Sequence, residues 1–222
     1  MQIEYPSLSD RVYEYLCKQI IEGNIKYGEK LNITAISAQL NVSTTPVRDA
    51  LKKLEMENIV QIKPRSNCIV TVPTKKSILD AFVMRELLEL HTVELIYKTV
   101  TKDQLSLMSA IVNDMVKIAL GNRIKDKVRR YIHLDLSFHT ELCDLAVNEY
   151  LQKFYREVNL HLNMTFIYRI GTPPDIHGTL MDHRRFVELL SENSPESLEL
   201  LKAHLEHSKS NIVQGKLFQA LE

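Results

Sequence analysis

Short amphipathic stretches separated by turn-forming residues make up the first part of the chain. Apolar residues recur at helical spacing from Ser7 or Ser9 to about Glu22, and Gly23 follows directly. A glycine after a periodic run commonly ends a helix. The same spacing returns over residues 33–40. The pattern therefore predicts two helices before residue 41.

The stretch LNVSTTPVRDALKKL, residues 40–54, predicts a third helix. Ser43 or Thr44 is expected to cap it, and Pro46 suits the first turn, where its missing N–H is not needed. Its apolar positions face a core, namely Val47, Leu51 and Leu54. Asn41 tolerates the left-handed conformation that a tight reversal requires. Two short helices joined in this way form a helix-turn-helix.

The opposite side of this third helix is polar and basic. Short hydroxyls and an arginine at a helix N-terminus suit phosphate oxygens and base edges. An ordinary capped surface helix has much of the same pattern, so the flanking sequence matters. Two β-branched runs follow at 59–62 and 68–72, with a basic, turn-prone tip between them. They predict a β-hairpin, the wing of a winged helix. The DNA-contacting candidates are Ser43, Thr44, Thr45, Arg48, Lys52, Arg65 and Asn67.

Residues from about 8 to 72 resemble the N-terminal domain of GntR-family bacterial transcription regulators. The family pattern LGVSRTPVREAL appears here as LNVSTTPVRDAL, residues 40–51. Asn41 and Asn67 stand where the family has glycines, and asparagine preserves access to positive φ. Thr44 replaces a family arginine, which removes one phosphate or guanine contact. The resemblance implies a double-stranded DNA-binding protein with its own operator preference.

Composition and charge narrow the class of protein. Lysine plus arginine and aspartate plus glutamate both number 28, so the formal net charge is zero. DNA binding must therefore come from a local patch. The three cysteines share no motif spacing and are expected to be reduced thiols. No signal peptide and no membrane span are apparent in the sequence, so we expect a cytoplasmic protein without a membrane partner.

The pattern changes at Pro73 and Thr74, after which the chain is helical throughout. Apolar residues recur at three and four over about 78–96, 105–118, 126–147, 149–170, 180–191 and 195–220. Six such helices fit an antiparallel helical bundle. The predicted fold is mainly α. A winged helix-turn-helix DNA-binding domain occupies residues 1–73, and an all-α ligand-sensing and dimerisation domain occupies 74–222.

A carboxylate and three imidazoles are candidates for a metal site in the second domain. Asp135 and His139 lie four apart on a helix face that also carries Leu142, so both are expected to point inward. Burying such groups is unfavourable unless they are paired or bind a metal. His183 and His204 can project into the same interior from later helices. The alternative is that these histidines are ordinary surface or satisfied core residues.

The helical domain also resembles the FCD effector domain of the FadR-like branch of GntR regulators. Metal-binding members have an Asp-x-x-x-His pair, then a histidine near the start of the penultimate helix, then one more. The matching positions here are Asp135, His139, His183 and His204. The resemblance implies a divalent transition metal, zinc first, with nickel, manganese or iron as alternatives. It also implies a small carboxylate effector.

Arg85 matches an arginine of the first effector-domain helix. Its guanidinium can bind a carboxylate in bidentate fashion, or it can pair with Glu89 one turn on. Asn163 and Arg169 are further candidates for lining an effector pocket.

The sequence thus predicts a homodimeric regulator that reads a palindromic operator and responds to a carboxylate. Three other hypotheses stay open at this point. The first is a metal-dependent enzyme that uses the same four residues, although no separate general base or nucleophile pairing is evident. The second is a regulator with a purely structural metal, and the third is a regulator with a metal-free pocket for an acyl ligand.

Overall fold

A computed structural model describes residues 7–63, 67–120, 124–168, 176–215 and 218–219. Over these ranges the chain contains nine helices and three short strands. The chain divides into two compact units, Met1–Pro73 and Thr74–Glu222. None of the helices in these ranges combines the length and apolar character that a membrane span requires.

The first unit is a three-helix domain with a small sheet. Its elements are α1 Leu8–Ile21, β1 Lys30–Leu31, α2 Ile33–Leu40, α3 Thr44–Met56, β2 Val60–Lys63 and β3 Asn67–Val70. The strands are antiparallel in the order β1-β3-β2. The hairpin of β2 and β3 confirms the predicted wing. Strand β1 was not predicted from the sequence, because a strand of two residues has no periodicity to detect.

Local sequence signals explain where these helices begin and end. Ser7 and Asp10 form a reciprocal capping box at the start of α1, with the Ser7 hydroxyl accepting from the Asp10 N–H at 3.1 Å. The Asn32 side chain caps α2 at the Ala35 N–H. Asn41 ends α2 with a left-handed φ of 52°, as the sequence predicted. The core between α1 and α3 consists of Val12, Leu16, Ile20, Val47, Leu51 and Leu54.

The second unit contains six helices in its described part, as predicted. They are α4 Lys75–Ile96, α5 Ser106–Leu120, α6 Ile124–Asp144, α7 Glu149–Tyr168, α8 Ile176–Ser191 and α9 Glu196–Val213. Thr74 caps α4 through the Ser77 N–H. Two ends differ from expectation, since α8 begins before Leu180 and α9 ends well short of Ala220. Gly215 lies just after the end of α9, and glycine has a low helix propensity.

The interior of the helical unit is apolar around a polar centre. Helix α4 packs against α7 and α9, and α6 packs against α5 and α7. The fully buried apolar residues include Val93, Met108, Met115, Phe138, Leu142 and Leu190. Polar side chains from α4, α6, α8 and α9 are also buried, namely Arg85, Glu89, His139, His183 and His204. Buried polar groups need partners or a ligand, so these buried polar side chains form a candidate functional site.

Candidate functional site

Helix α3 separates a buried apolar side from an exposed polar side. Val47, Ala50, Leu51 and Leu54 are buried against the rest of the first unit. The predicted DNA contacts on and before this helix are all exposed, namely Ser43, Thr44, Thr45, Arg48 and Lys52. Lys52 lies 3.7 Å from Asp49 in an exposed ion pair, which is a weak interaction in water. The lysine is therefore available to another anion.

One expectation about α3 is wrong. Ser43 occupies the N-cap position, yet its side chain makes no capping hydrogen bond, and Thr44 is already the first helical residue. The first-turn N–H groups of α3 thus lack a side-chain acceptor from Ser43, and the exposed hydroxyl stays available. The N-terminus of α3, which Ser43 does not cap, presents its backbone N–H donors and the positive end of the helix dipole to an anion.

Several predicted site residues lie wholly or partly outside the described residues. Arg65 and Arg169 fall in undescribed segments. The backbone of Asn67 closes the hairpin opposite Lys63, and that of Asn163 lies in α7. Their side chains are not among those described, so these four assignments stay predictions.

In the helical unit, the four candidate metal ligands come together from three helices. Asp135 and His139 project from α6, His183 from α8 and His204 from α9. Each offers one ligand atom, and these atoms all lie within 4.8 Å of one another. The three imidazoles are buried and Asp135 is partly so. The helical bundle therefore gathers a three-nitrogen, one-oxygen donor set in its interior.

The distances inside this cluster fit a shared cation. The Nε2 atoms of His139 and His183 are 3.2 Å apart, and Oδ1 of Asp135 lies 3.4 Å from Nε2 of His183. Ligand atoms at ~2.1 Å from one ion are ~3.0–3.4 Å apart in tetrahedral or octahedral geometry. Burial lowers the pKa of both histidines, with Arg85 adding to the effect at His139 and His204 at His183. Neutral imidazoles are the form that binds metal.

A buried network of hydrogen bonds lies behind the cluster. Glu89 on α4 accepts from Nε of Arg85 at 2.8 Å and from the hydroxyl of Tyr155 at 2.6 Å. Its other oxygen lies 2.7 Å from Nδ1 of His139. Burial opposes the charged form of Glu89, yet His139 and Arg85 hold its pKa at about 2. The sequence showed only the helical spacing of Arg85 and Glu89. It gave no signal for the contacts with α6 and α7.

Arg85 pairs with Glu89, which was one of the two roles that the sequence presented as alternatives. Its Nε pairs with Glu89, while its Nη1 and Nη2 are buried and have no hydrogen-bond partner among the described residues. Glu89, Tyr155 and Asp135 raise the pKa of Arg85 against the opposing effect of burial. The side chain is thus a buried cation with two free donor groups.

Among the described side chains, the other histidines are not part of the cluster. His91 is exposed and lies 3.6 Å from Glu94 on the same helix, and His177 and His207 are exposed on α8 and α9. His133 is half-buried on α6. The side chain of His161 is outside the described set.

Comparison with known families matches each unit separately. Residues 8–70 match the gntR family of bacterial regulatory proteins, and residues 80–207 match the FCD domain. The chain belongs to the GntR family and carries an FCD domain. The FCD match includes Arg85, Glu89 and all four residues of the metal-ligand cluster. Both predicted resemblances are therefore confirmed.

Individual relatives of this GntR protein are also regulators. It is 29% identical over 209 residues to the HTH-type transcriptional regulator YdhC of Bacillus subtilis, covering 92% of each chain. It is 27% identical over 135 residues to the Nta operon transcriptional regulator of Aminobacter aminovorans, covering 60% of each. It is 28% identical over 148 residues to the gluconate operon transcriptional repressor of Bacillus subtilis, covering 67% of this chain and 59% of that protein.

Solved structures agree on the fold. A GntR transcriptional regulator from Rhodococcus sp. RHA1 matches with a TM-score of 0.81 and 22% identity, covering 92% of this chain and 97% of that one. Escherichia coli McbR/YncC matches with a TM-score of 0.81 and 20% identity, covering 94% and 98%. The matched family models and the named relatives belong to regulators of transcription, so the protein is a DNA-binding regulator of transcription and not an enzyme.

Proposed function

We propose that this GntR regulator is a homodimer whose FCD domain holds a divalent metal and a small carboxylate, and that the carboxylate alters binding to a palindromic operator. The observation that carries the proposal is the buried cluster of three histidines and one aspartate beside a buried arginine with free donors.

At the DNA, the exposed side of α3 supplies the contacts. Ser43, Thr44 and Thr45 place hydroxyls at the open N-terminus of the helix, where a phosphate accepts from hydroxyl and backbone donors together. Arg48 and Lys52 follow one and two turns later on the same exposed side. Arg48 suits a guanine edge or a phosphate, and Lys52 suits a phosphate. Arg65 and Asn67 of the wing are the additional contacts in this proposal.

At the metal site, the donor set is Asp135, His139, His183 and His204. Three imidazoles and one carboxylate favour zinc, with nickel, manganese and iron as alternatives. The bound metal supplies a cationic Lewis acid with coordination positions open to an anionic oxygen.

For the effector, Arg85 is the proposed anchor. A buried donor without a partner is unfavourable by about 1–3 kcal/mol, and by more when it is charged. A carboxylate offers two oxygens that match the two Nη groups. Asn163 and Arg169 are proposed as further contacts. The gluconate operon repressor of Bacillus subtilis is named for an operon of a sugar acid, which supports a carboxylate as the effector class.

The dimer is proposed to form on α4 and α7. These two helices pack side by side, and they expose large apolar side chains on α4 (Val83 57%, Leu87 60% and Leu95 49%) and on α7 (Tyr150 75% and Phe154 48%). Large apolar side chains exposed on two adjacent helices favour an interface, and a second copy related by a two-fold axis would cover them. A two-fold dimer fits a palindromic operator.

The first experiment is elemental analysis of purified untagged protein. We expect about one transition-metal ion per chain, and its loss in the double variant His183→Ala/His204→Ala. The matched control is His177→Ala/His207→Ala, which changes exposed histidines on the same two helices and should keep the metal. Wild-type protein without metal, even after reconstitution, would contradict the proposed metal site and leave the DNA-binding function standing.

A second measurement separates a sensing site from a purely structural metal. Operator affinity is followed by fluorescence anisotropy while a panel of small carboxylates is titrated into metal-loaded protein. We expect at least one member to shift the affinity in the wild type and to lose this effect in Arg85→Met. Metal-loaded protein that binds DNA with no response to any carboxylate would point to a structural metal.

A further inference from the structure

Glu89 is a fully buried carboxylate that joins three helices behind the histidine cluster. It lies on α4 and contacts Arg85 on its own helix, Tyr155 on α7 and His139 on α6. Taking a carboxylate out of water is unfavourable by several kcal/mol unless its oxygens are well paired. Three close contacts satisfy this requirement, and one of them is to a candidate metal ligand.

The contacts determine which nitrogen of His139 faces the cluster. Arg85 and Tyr155 both donate to Oε1 of Glu89, and the adjacent guanidinium keeps the carboxylate an acceptor. Nδ1 of His139, at 2.7 Å from Oε2, must therefore carry the hydrogen. A neutral imidazole has one N–H and one lone pair, so Nε2 presents its lone pair. That Nε2 is the atom 3.2 Å from Nε2 of His183.

We propose that Glu89 is a positioning residue that holds His139 in the tautomer and ring orientation in which Nε2 binds the metal. This inference rests on the proposed metal site. Carboxylates that accept from the far nitrogen of a ligand histidine raise its basicity and fix its ring. Removing them weakens metal binding by about 10–100-fold. Because the same carboxylate holds Nε of Arg85, it also orients the guanidinium toward the effector.

Asp182 occupies the corresponding place for His204 with a looser geometry. Its Oδ2 lies 3.2 Å from Nδ1 of His204, and its side chain is 36% exposed, whereas that of Glu89 is 0% exposed. Water competes for an exposed carboxylate, so its orienting effect is smaller. Replacing Glu89 is therefore expected to weaken metal binding more than replacing Asp182.

The test measures Zn²⁺ affinity by competition with a chromophoric chelator. Glu89→Gln should weaken binding by about 10–100-fold, and Asp182→Asn should weaken it less. Glu94→Gln is the matched control, since Glu94 is on the same helix and also faces a histidine, His91, but both are exposed. Its affinity should equal that of the wild type. Wild-type affinity in Glu89→Gln would overturn the inference, whereas failure of the wild type itself to bind Zn²⁺ would overturn the proposed metal site.

Loss of the charge on Glu89 leaves Arg85 unpaired, so a second variant controls for folding. Arg85→Met/Glu89→Gln removes the cation together with the carboxylate. Deleting a nearby cation alone would strengthen metal binding, so weaker binding in this variant supports the role of Glu89. Unchanged or stronger binding contradicts it.

Nitrogen-15 NMR of the metal-free proteins should show His139 as the Nδ1–H tautomer in the wild type and in Glu94→Gln. A tautomer mixture is expected in the two Glu89 variants, which a merely structural role would not produce.

Discussion

The two units of this regulator differ in whether their candidate functional side chains are exposed or buried. In the winged-helix unit, Arg48 and Lys52 are exposed while the apolar side of α3 is buried. In the FCD unit, Arg85, Glu89 and His139 are buried within an apolar bundle. An exposed group binds its partner against competition from water, whereas the donors and acceptors of a buried group must be satisfied by neighbouring residues or by a ligand. Binding through exposed side chains therefore depends on few neighbouring residues, whereas binding through buried side chains depends on many.

The ion pairs of the two units illustrate the difference. Lys52 and Asp49 are 3.7 Å apart and exposed, so water and salt screen them. Nε of Arg85 and Oε1 of Glu89 are 2.8 Å apart and fully buried, and each side chain compensates the buried charge of the other. Removing one member of a buried pair leaves an uncompensated charge.

The largest effect is expected from Glu89→Leu, which leaves the buried guanidinium of Arg85 without its anion. We expect the free energy of unfolding of the FCD unit to fall by about 3–5 kcal/mol, measured by urea unfolding. The control is Asp80→Ala, which breaks the exposed pair with Lys76 on the same helix and should cost under about 1 kcal/mol. Equal losses in the two variants would contradict the claim that burial makes the difference.

An intermediate effect is expected from Arg48→Ala, which removes an exposed cation without disturbing the core. Operator affinity should fall by about 1–3 kcal/mol if Arg48 contacts a base edge. If it contacts a phosphate, the slope of log affinity against log salt should drop by about 1. Anisotropy titrations at several salt concentrations measure both quantities. Lys18→Ala, an exposed cation on α1, is the control, and an unchanged affinity in Arg48→Ala would remove this residue from the interface.

The smallest effect concerns Asp10, an exposed carboxylate on α1. Hydrogen bonds from Lys53 and Ser7 hold its pKa at about 2, below the ordinary value of 3.8. A folded pKa below the unfolded one gives stability that is present above about pH 4 and lost as the pH falls toward 2. Acid unfolding of Asp10→Asn should therefore show a flatter pH dependence in this window than the wild type. Identical acid unfolding curves would contradict the assignment.

How much could be predicted from the sequence differed between the two units. The helix-turn-helix, the wing and the exposed positions of α3 were predictable because they depend on residues close together in the chain. Local prediction still failed in detail, since Ser43 does not cap α3 and β1 was missed. A cap depends on side-chain rotamers, and a two-residue strand depends on its pairing with β3, neither of which a residue pattern records.

By itself, the sequence determined the mainly α fold, the family and the four candidate ligands, because periodicity and motif spacing are properties of the chain. Only the tertiary structure showed that the ligand atoms of four residues lie within 4.8 Å of one another, namely those of Asp135, His139, His183 and His204. It alone revealed Glu89, which is 50 residues from His139 and 66 from Tyr155 along the chain. The physical reason is that a buried polar network is completed by side chains from different helices. Their helical spacing predicts which side of each helix faces the core, but it does not predict which side chains meet there.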